Sequence, residues 1–406
     1  MKVLQVNCVY NKGSTGKIVA DIDARLKEKG IESVVCYGRG QMVKKDGVYK
    51  TCSELYAKMN NLFSRITGIM YGGCFFSTNK LIRVIKKEKP DIVHLHCING
   101  YFVNIYRLVA WLNKNGIKTV LTLHAEFMHT ANCAHAFECE KWKSGCGACP
   151  RFKRETKSLV FDRTKTSFSR MKKAFDGFEV NLTVVSVSPW LMERAKQSPI
   201  MSDKKHTVVL NGLDTDVFKV YDSSDLRREI SPNGEKIIFH ATPHFSADPE
   251  HPKGGYYVLK LASMLKEKGV RFLVAGSYDA TLSVPDNVTL LGKVSDQKCL
   301  AKYYSLADFT VLTSKRETFS MVVAESLSAG TPVVGFEAGG PEQIALGEYS
   351  SFVKQGDVEG LREAALCLLD AKFDKNAICQ TAHLKYDKNH MADEYIKIYK
   401  EMLREK

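Results

Sequence analysis

Two α/β doubly wound halves of similar size are what this sequence predicts, on three observations. Short apolar stretches rich in β-branched residues alternate with helical patterns along the whole chain. These stretches end on polar residues, as parallel strands do where their carboxyl ends face a ligand crevice. The alternation breaks at a polar segment, 222–235, containing the turn signal Ser231-Pro232-Asn233-Gly234, and then restarts.

The first strand is expected at 3–7, followed by the turn Gly13-Ser14-Thr15-Gly16 and a helix with apolar Ile18, Val19, Ile22 and Leu26, closed by Gly30. A second strand at 32–37 completes a βαβ unit. Later strands are predicted at 91–96, 118–124, 182–188 and 207–211, with His94, His96, His124 and Asn211 among their terminal polar residues. Beyond the break, strands are expected at 236–241, 271–275, 288–291, 309–313 and 332–336. Met391, Tyr395, Ile398, Tyr399 and Met402 recur at helical spacing and predict a packed terminal helix. The predicted domains are therefore 1–222 and 223–388, with a terminal helix at 389–406.

A chain of 406 residues needs no disulfide staples to build its cores. With 44% apolar and 26% charged residues it is neither disordered nor a coiled coil. The opening apolar run is too short for a signal peptide, and no eighteen consecutive apolar residues occur, so a cytoplasmic protein without a membrane span is expected. Lys and Arg number 59 against 45 Asp and Glu, a net charge of +14 that favours nucleic acid, an anionic membrane or phosphorylated ligands. The twelve cysteines should mostly be reduced.

The segment 314–334 carries the most chemistry. A strand ends near Thr313, Glu317 lies in the following loop, a helix begins near Phe319 or Ser320, and Gly330 closes it. A helix amino terminus offers free N–H groups and partial positive charge, so a diphosphate can sit at Ser320 and Met321. Glu325 would then accept hydrogen bonds from a ribose beyond one end of the diphosphate, and Glu317 from a sugar beyond the other. A sugar nucleotide has that shape.

This segment resembles the family-4 retaining glycosyltransferases of GT-B architecture. The resemblance extends to Ile92-Val93-His94-Leu95-His96, Thr122-Leu123-His124, Val187-Ser188-Pro189-Trp190-Leu191 and Asn211-Gly212-Leu213-Asp214, in the family's order. The stretch from His124 to Cys149-Pro150 is similar to a bacterial subgroup associated with exopolysaccharide and O-antigen assembly. The resemblance implies two Rossmann-like domains facing a cleft, the first for the acceptor and the second for the donor, with the terminal helix crossing back to the first. It implies that Glu317 contacts the donor sugar, Glu325 the ribose and Lys253 the diphosphate, and that Lys293 and Val294 read the base through backbone groups. It places Phe319, Ser320 and Met321 at the donor. The arginine usual before the Lys-Gly pair is missing, and an unusually long loop, Thr242-Pro243-His244-Phe245, stands there, with His244 as a substitute cation.

Gly13-Ser14-Thr15-Gly16-Lys17 is not a P-loop, since Asn11 and Ile18 occupy positions that need Gly and Ser or Thr. It reads as a turn whose N–H groups approach phosphates and acceptor. His124, at a strand end and matching the family, is a candidate catalytic residue. Cys133, Cys139, Cys146 and Cys149 lie within seventeen residues and read as a structural zinc site, as reduced packing cysteines or as a disulfide pair. Between 141 and 173 eleven Lys or Arg face only Glu155 and Asp162, a solvated helix face or a contact for anionic lipid on the inner face of the cell membrane. The apolar stretch 101–112 reads as a buried helix.

The resulting expectation is a retaining hexosyltransferase that needs no metal for catalysis. It would use a UDP- or GDP-sugar and a glycan or polyprenyl-diphosphate-linked glycan acceptor in bacterial surface polysaccharide synthesis. The alternatives are a related sugar-nucleotide epimerase or phosphorylase, and a zinc-knuckle nucleic-acid binder. The last lacks the interleaved aromatic and basic pattern of a strand-binding platform.

Overall fold

The computed structural model describes residues 1–405. One unit comprises Met1–Leu210 and the chain from Met391 onward, and the other comprises Asn211–His390. The first holds strands β1 (Lys2–Asn7), β2 (Glu32–Tyr37), β3 (Val48–Lys50), β4 (Ile92–Leu95), β5 (Thr119–Leu123), β6 (Leu182–Ser186) and β7 (Lys205–Val208) in the order β3-β2-β1-β4-β5-β6-β7. The second holds β8 (Lys236–Phe245), β9 (Val270–Tyr278), β10 (Val288–Gly292), β11 (Phe309–Leu312), β12 (Val333–Phe336) and β13 (Ser350–Val353) in the order β10-β9-β8-β11-β12-β13. The strand pairs are parallel throughout. Strand order reverses between β1 and β4 and again between β8 and β11, and ligands bind at the carboxyl ends beside such reversals.

Helices connect the strands. In the first unit they are α1 (Gly13–Glu28), α2 (Glu54–Thr67), α3 (Phe75–Glu88), α4 (Ile105–Lys114), α5 (Phe127–Thr130), α6 (Phe152–Glu155), α7 (Thr164–Phe175) and α8 (Pro189–Lys196). The second unit has α9 (Ser224–Ile230), α10 (Gly255–Met264), α11 (Gln297–Leu306), α12 (Met321–Ser328), α13 (Pro341–Ile344), α14 (Val358–Asp370) and α15 (Lys375–Tyr386), and α16 (Lys388–Arg404) ends the chain. No helix among the described residues is long and apolar enough to cross a membrane.

The apolar stripe of α1 packs Ile18, Ile22 and Leu26 against Val3 of β1 and Met391, Tyr395, Tyr399 and Met402 of α16 in one core. Fully burying a large apolar side chain contributes about 1.5–3 kcal/mol. Arg25 fastens the two helices with paired bonds to Asp393 at 2.9 and 2.6 Å. Within α4, Ile105, Leu108, Val109 and Leu112 are buried.

Several elements differ from the sequence reading. The units divide after Leu210 rather than at 222. The intervening stretch packs on the second unit: Leu213 N–H donates to Tyr386 at 2.8 Å, Phe218 is buried, and Tyr221 N–H donates to Ser305. The polar segment after 222 holds the short helix α9 before its turn. Segment 242–245 is no loop but the continuation of β8, pairing His244 with Ser277 and Phe245 with Tyr278 across a bulge after Ala241. Strand β7 starts at Lys205 because its register with β6 pairs Thr183 with Lys205. Strands β3 and β13 were not predicted: both are short and partly exposed sheet edges with little apolar signature.

Candidate active site

In the second unit, a cavity of about 580 Å³ opens at the carboxyl ends of β8, β9 and β10. Ala241 to Pro243 at the β8 bulge, Gly276 and Ser277 form one wall, Lys293 and Val294 another, and Met321, Val322 and Glu325 of α12 a third. Bulges beside active sites re-aim backbone and side chains, and Pro243 suits one because it has no N–H to lose. Glu325 accepts a hydrogen bond from Tyr304 Oη at 3.1 Å. Burial, reinforced by the Glu325 charge, pushes the Tyr304 phenol far above its ordinary range, so it stays a donor. Tyr304 carried no sequence signal, because its role depends on α11 lying against α12.

Glu317 does not line this cavity. It accepts a hydrogen bond from Lys253 Nζ at 2.6 Å. Its backbone is fixed by Glu317 N–H to Ala338 and Gly340 N–H to Glu317, at 3.0 and 2.9 Å. Lys253 sits in a turn that only glycine can close: Gly254 has φ 68°, and a Cβ there would lie 2.0 Å from the Thr313 carbonyl oxygen. The helix after Glu317 starts at Met321, one or two residues later than predicted. Ser320 precedes it with φ 80°, a strained backbone for a non-glycine residue, of the kind that clusters at functional sites. The Phe319 ring is buried edge-on against Tyr386 at 6.5 Å, so its side chain faces the core and only its backbone is left for the donor. His244 is hydrogen-bonded to Ser277 at 3.1 Å and does not line the cavity.

In the first unit, polar side chains gather at the carboxyl ends of β1, β4 and β5. Gln5 Nε2 donates to the Val19 carbonyl at 3.3 Å, which leaves its Oε1 as acceptor for His96 Nε2 at 3.2 Å. His96 Nδ1 is then the acceptor for His124 Nε2 at 3.3 Å, and the chain of bonds leaves His124 Nδ1 unprotonated. Burial holds the His124 pKa down at about 4, so the ring is neutral at pH 7. His94 is structural: it bridges Tyr399 Oη at 2.6 Å and Thr122 Oγ1 at 2.8 Å. Gly13 to Gly16 do not form a separate turn before the helix but are the first turn of α1 itself, which residues 8–12 link to β1, with Ser14 exposed, Thr15 partly so and Gly16 buried.

The loop after His124 is anchored by an ion pair. Buried Glu126 accepts from Arg194 Nε at 2.6 Å and from Ala136 N–H at 2.8 Å. Burial alone would raise its pKa, but His129, Arg194 and the Ala136 N–H outweigh that and hold it at about 2. The Arg194 guanidinium lies 4.8 Å from the Trp142 ring centroid and 5.0 Å from that of Trp190. All twelve cysteines are free thiols. Cys133, Cys139, Cys146 and Cys149 line one enclosed cavity of about 20 Å³, with Lys141, Arg151 and Glu155 also in its wall. Burial pushes the Cys146 thiol up to about 11. Among the described residues, no three His, Cys, Asp or Glu side chains are already arranged to hold a metal ion.

Residues 16–217 match the family model described as Glycosyltransferase Family 4, and residues 244–371 match that described as Glycosyl transferases group 1. WcaC of Escherichia coli strain K12, assigned to colanic acid biosynthesis as a glycosyl transferase, is 21% identical, with 99% of this chain and 100% of WcaC aligned. N-acetyl-alpha-D-glucosaminyl L-malate synthase of Bacillus anthracis is 22% identical, with 98% and 97% aligned. Sucrose-phosphate synthase of Thermosynechococcus elongatus superposes with a TM-score of 0.66 at 16% identity, covering 100% of this chain and 99% of its own. Anabaena HepE, solved with UDP and glucose, superposes at 0.63 and 14% identity, covering 99% and 100%. With two parallel Rossmann-like sheets, and with both halves matched by glycosyltransferase models, the chain belongs to glycosyltransferase family 4 and has the GT-B fold.

Proposed function

We propose that this enzyme moves a hexose, with retention of anomeric configuration and without a catalytic metal, from a UDP- or GDP-sugar to a glycan or polyprenyl-diphosphate-linked glycan in bacterial surface polysaccharide synthesis. One observation carries this reading: a single segment sets Glu317 against Lys253 and, one helical start later, Glu325 into a cavity walled by the first turn of α12. The name of WcaC supports the polysaccharide context, and the UDP in the HepE structure supports the donor class. Glu325, held by Tyr304, accepts from the ribose hydroxyls, and backbone groups at Lys293 and Val294 meet the base. The diphosphate lies at Ser320 and Met321, where Phe319 contributes backbone only. Lys253 Nζ exchanges Glu317 for the diphosphate, which frees Glu317 to accept from a sugar hydroxyl. As the glycosidic bond breaks, charge developing on the diphosphate is stabilised by Lys253 and the α12 amino terminus. Substitution then occurs on the same face through an oxocarbenium-like ion pair. In the first unit, His124 and the N–H groups of the Gly13 to Gly16 turn hold the acceptor.

A thermal-shift screen with UDP, GDP and ADP and their sugars tests the donor. A ligand at 100 times its Kd stabilises by about 2.7 kcal/mol. One nucleotide should stand out, transfer should survive EDTA, and the product anomer should match the donor's. No shift with any of the nucleotides would overturn the reading.

The cysteine loop is read as a structural zinc site. Four thiols share one enclosed space, and Lys141 and Arg151 can offset thiolate charge. The donor set fits zinc in kind, and binding would draw the four sulfurs together. Freshly purified protein should carry about one zinc per chain, and Cys146→Ser should lower both zinc content and thermal stability. Absence of zinc in unchelated protein would refute this.

A further inference from the structure

We propose that the outward face of α2, with the start of α3 and the adjoining 159–161 loop, docks on an anionic phospholipid bilayer. Leu55, Met59, Leu62 and Ile66 recur at three- and four-residue steps and so form one stripe along α2. That stripe faces solvent, with Leu55 70% exposed, while the buried residues of the helix are the small Ala57 and Ser64 on the opposite side. A helix of a soluble domain normally turns its apolar stripe inward, and α2 does the reverse.

The patch continues beyond the helix. Phe76, 77% exposed, is tied to α2 by its N–H bond to Tyr56 Oη at 3.3 Å and a ring contact at 6.0 Å. At the other end, Leu159 N–H donates to the Arg65 carbonyl at 2.8 Å. Gly68, with φ 73°, lets the loop close in, since a Cβ there would stand 2.5 Å from the Phe161 carbonyl oxygen. Leu159, Val160 and Phe161 are therefore held beside the helix end, and all three are exposed. A contiguous exposed apolar area of this kind marks an interaction surface.

Charge selects the occupant. No acidic residue occurs between Glu54 and Glu88, whereas Lys58, Arg65, Lys80, Arg83, Lys86 and Lys87 do. The loop itself lies inside the basic run, with Lys157 and Arg163 exposed beside it against the single exposed acid Asp162. A second copy of this chain would bring like charge against like. A bilayer with anionic headgroups satisfies the apolar stripe and the basic flanks together. The proposal rests on the reading of a lipid-linked acceptor and supplies the apolar half of the membrane contact.

The test is co-sedimentation of the full chain with vesicles of phosphatidylcholine, alone or mixed with phosphatidylglycerol. Binding is expected with the mixed vesicles and not with phosphatidylcholine alone. The triple variant Leu55→Ser, Leu62→Ser, Phe76→Ser and the pair Lys58→Glu, Arg65→Glu should each weaken it about tenfold or more, with thermal stability and nucleotide affinity unchanged. Wild-type protein that ignores mixed vesicles, or variants that bind as wild type, would overturn the proposal. So would light scattering that shows a dimer dissolved by the triple variant without vesicle binding. Loss of the glycosyltransferase reading would show separately, as vesicle binding intact but no nucleotide bound in calorimetry.

Discussion

Glu325 has one carboxylate oxygen committed to the buried Tyr304 hydroxyl, which fixes the orientation it presents to the cavity. Glu325→Gln should weaken nucleotide binding about tenfold, since a hydrogen bond to a charged acceptor is worth about 1.5–3 kcal/mol. Glu317→Gln should leave nucleotide affinity within a few fold and lower turnover instead, as calorimetry and product formation will separate. Wild-type behaviour in both variants would remove the donor assignment. His124 is neutral, with Nε2 committed to His96. His124→Ala should fold, bind nucleotide within a few fold of wild type and transfer sugar at least about tenfold more slowly, because loss of one positioned group typically costs about 10²–10³ in rate. Full turnover would make His124 a structural strand-end residue and move the acceptor site to the Gly13 to Gly16 turn.

At the scale of elements, the irregular segment after β5 depends on α8. Arg194 projects from α8 between Trp142 and Trp190 and neutralises Glu126. Arg194→Ala should destabilise by about 3 kcal/mol, because it removes the cation of a buried ion pair and leaves the Glu126 carboxylate only the Ala136 N–H and His129. The double variant with Glu126→Gln should recover part of that loss. Urea unfolding measures both, and a cost under about 1 kcal/mol for Arg194→Ala would show that the loop is held by other contacts.

For the whole molecule, buried titratable groups set the acid limit. Burial holds His124 and His240 at about 4, and His94 and His96 well below the ordinary histidine range. An unfolded histidine titrates near 6.5, so below that pH the unfolded chain takes up protons that the folded chain refuses. Stability is therefore fully present above about pH 6.5 and falls as pH drops toward 4, by about 3 kcal/mol for each of His124 and His240, and His94 and His96 act in the same direction. Glu126 adds a second decline from about pH 4.3 toward its folded pKa of about 2. Unfolding followed across this range should show the first decline already by pH 5; a flat profile from pH 7 to 5 would contradict neutral buried histidines.

The sequence by itself determined the alternation of strands and helices, the Glu317 to Glu325 segment and the packing of the terminal helix, because each depends on local periodicity or on a run of neighbouring residues. Only the tertiary structure decided which side chains answer those motifs. Tyr304 meets Glu325 through the packing of α11 on α12, Arg194 meets Glu126 across 68 positions, and Gln5 orients His124 through His96 across adjacent strands. Phe319, inside the motif, turns into the core, while the apolar stripe of α2 turns out of it. Periodicity tells that a helix has an apolar side but not which way that side faces, since orientation is set by the neighbours against which the helix packs.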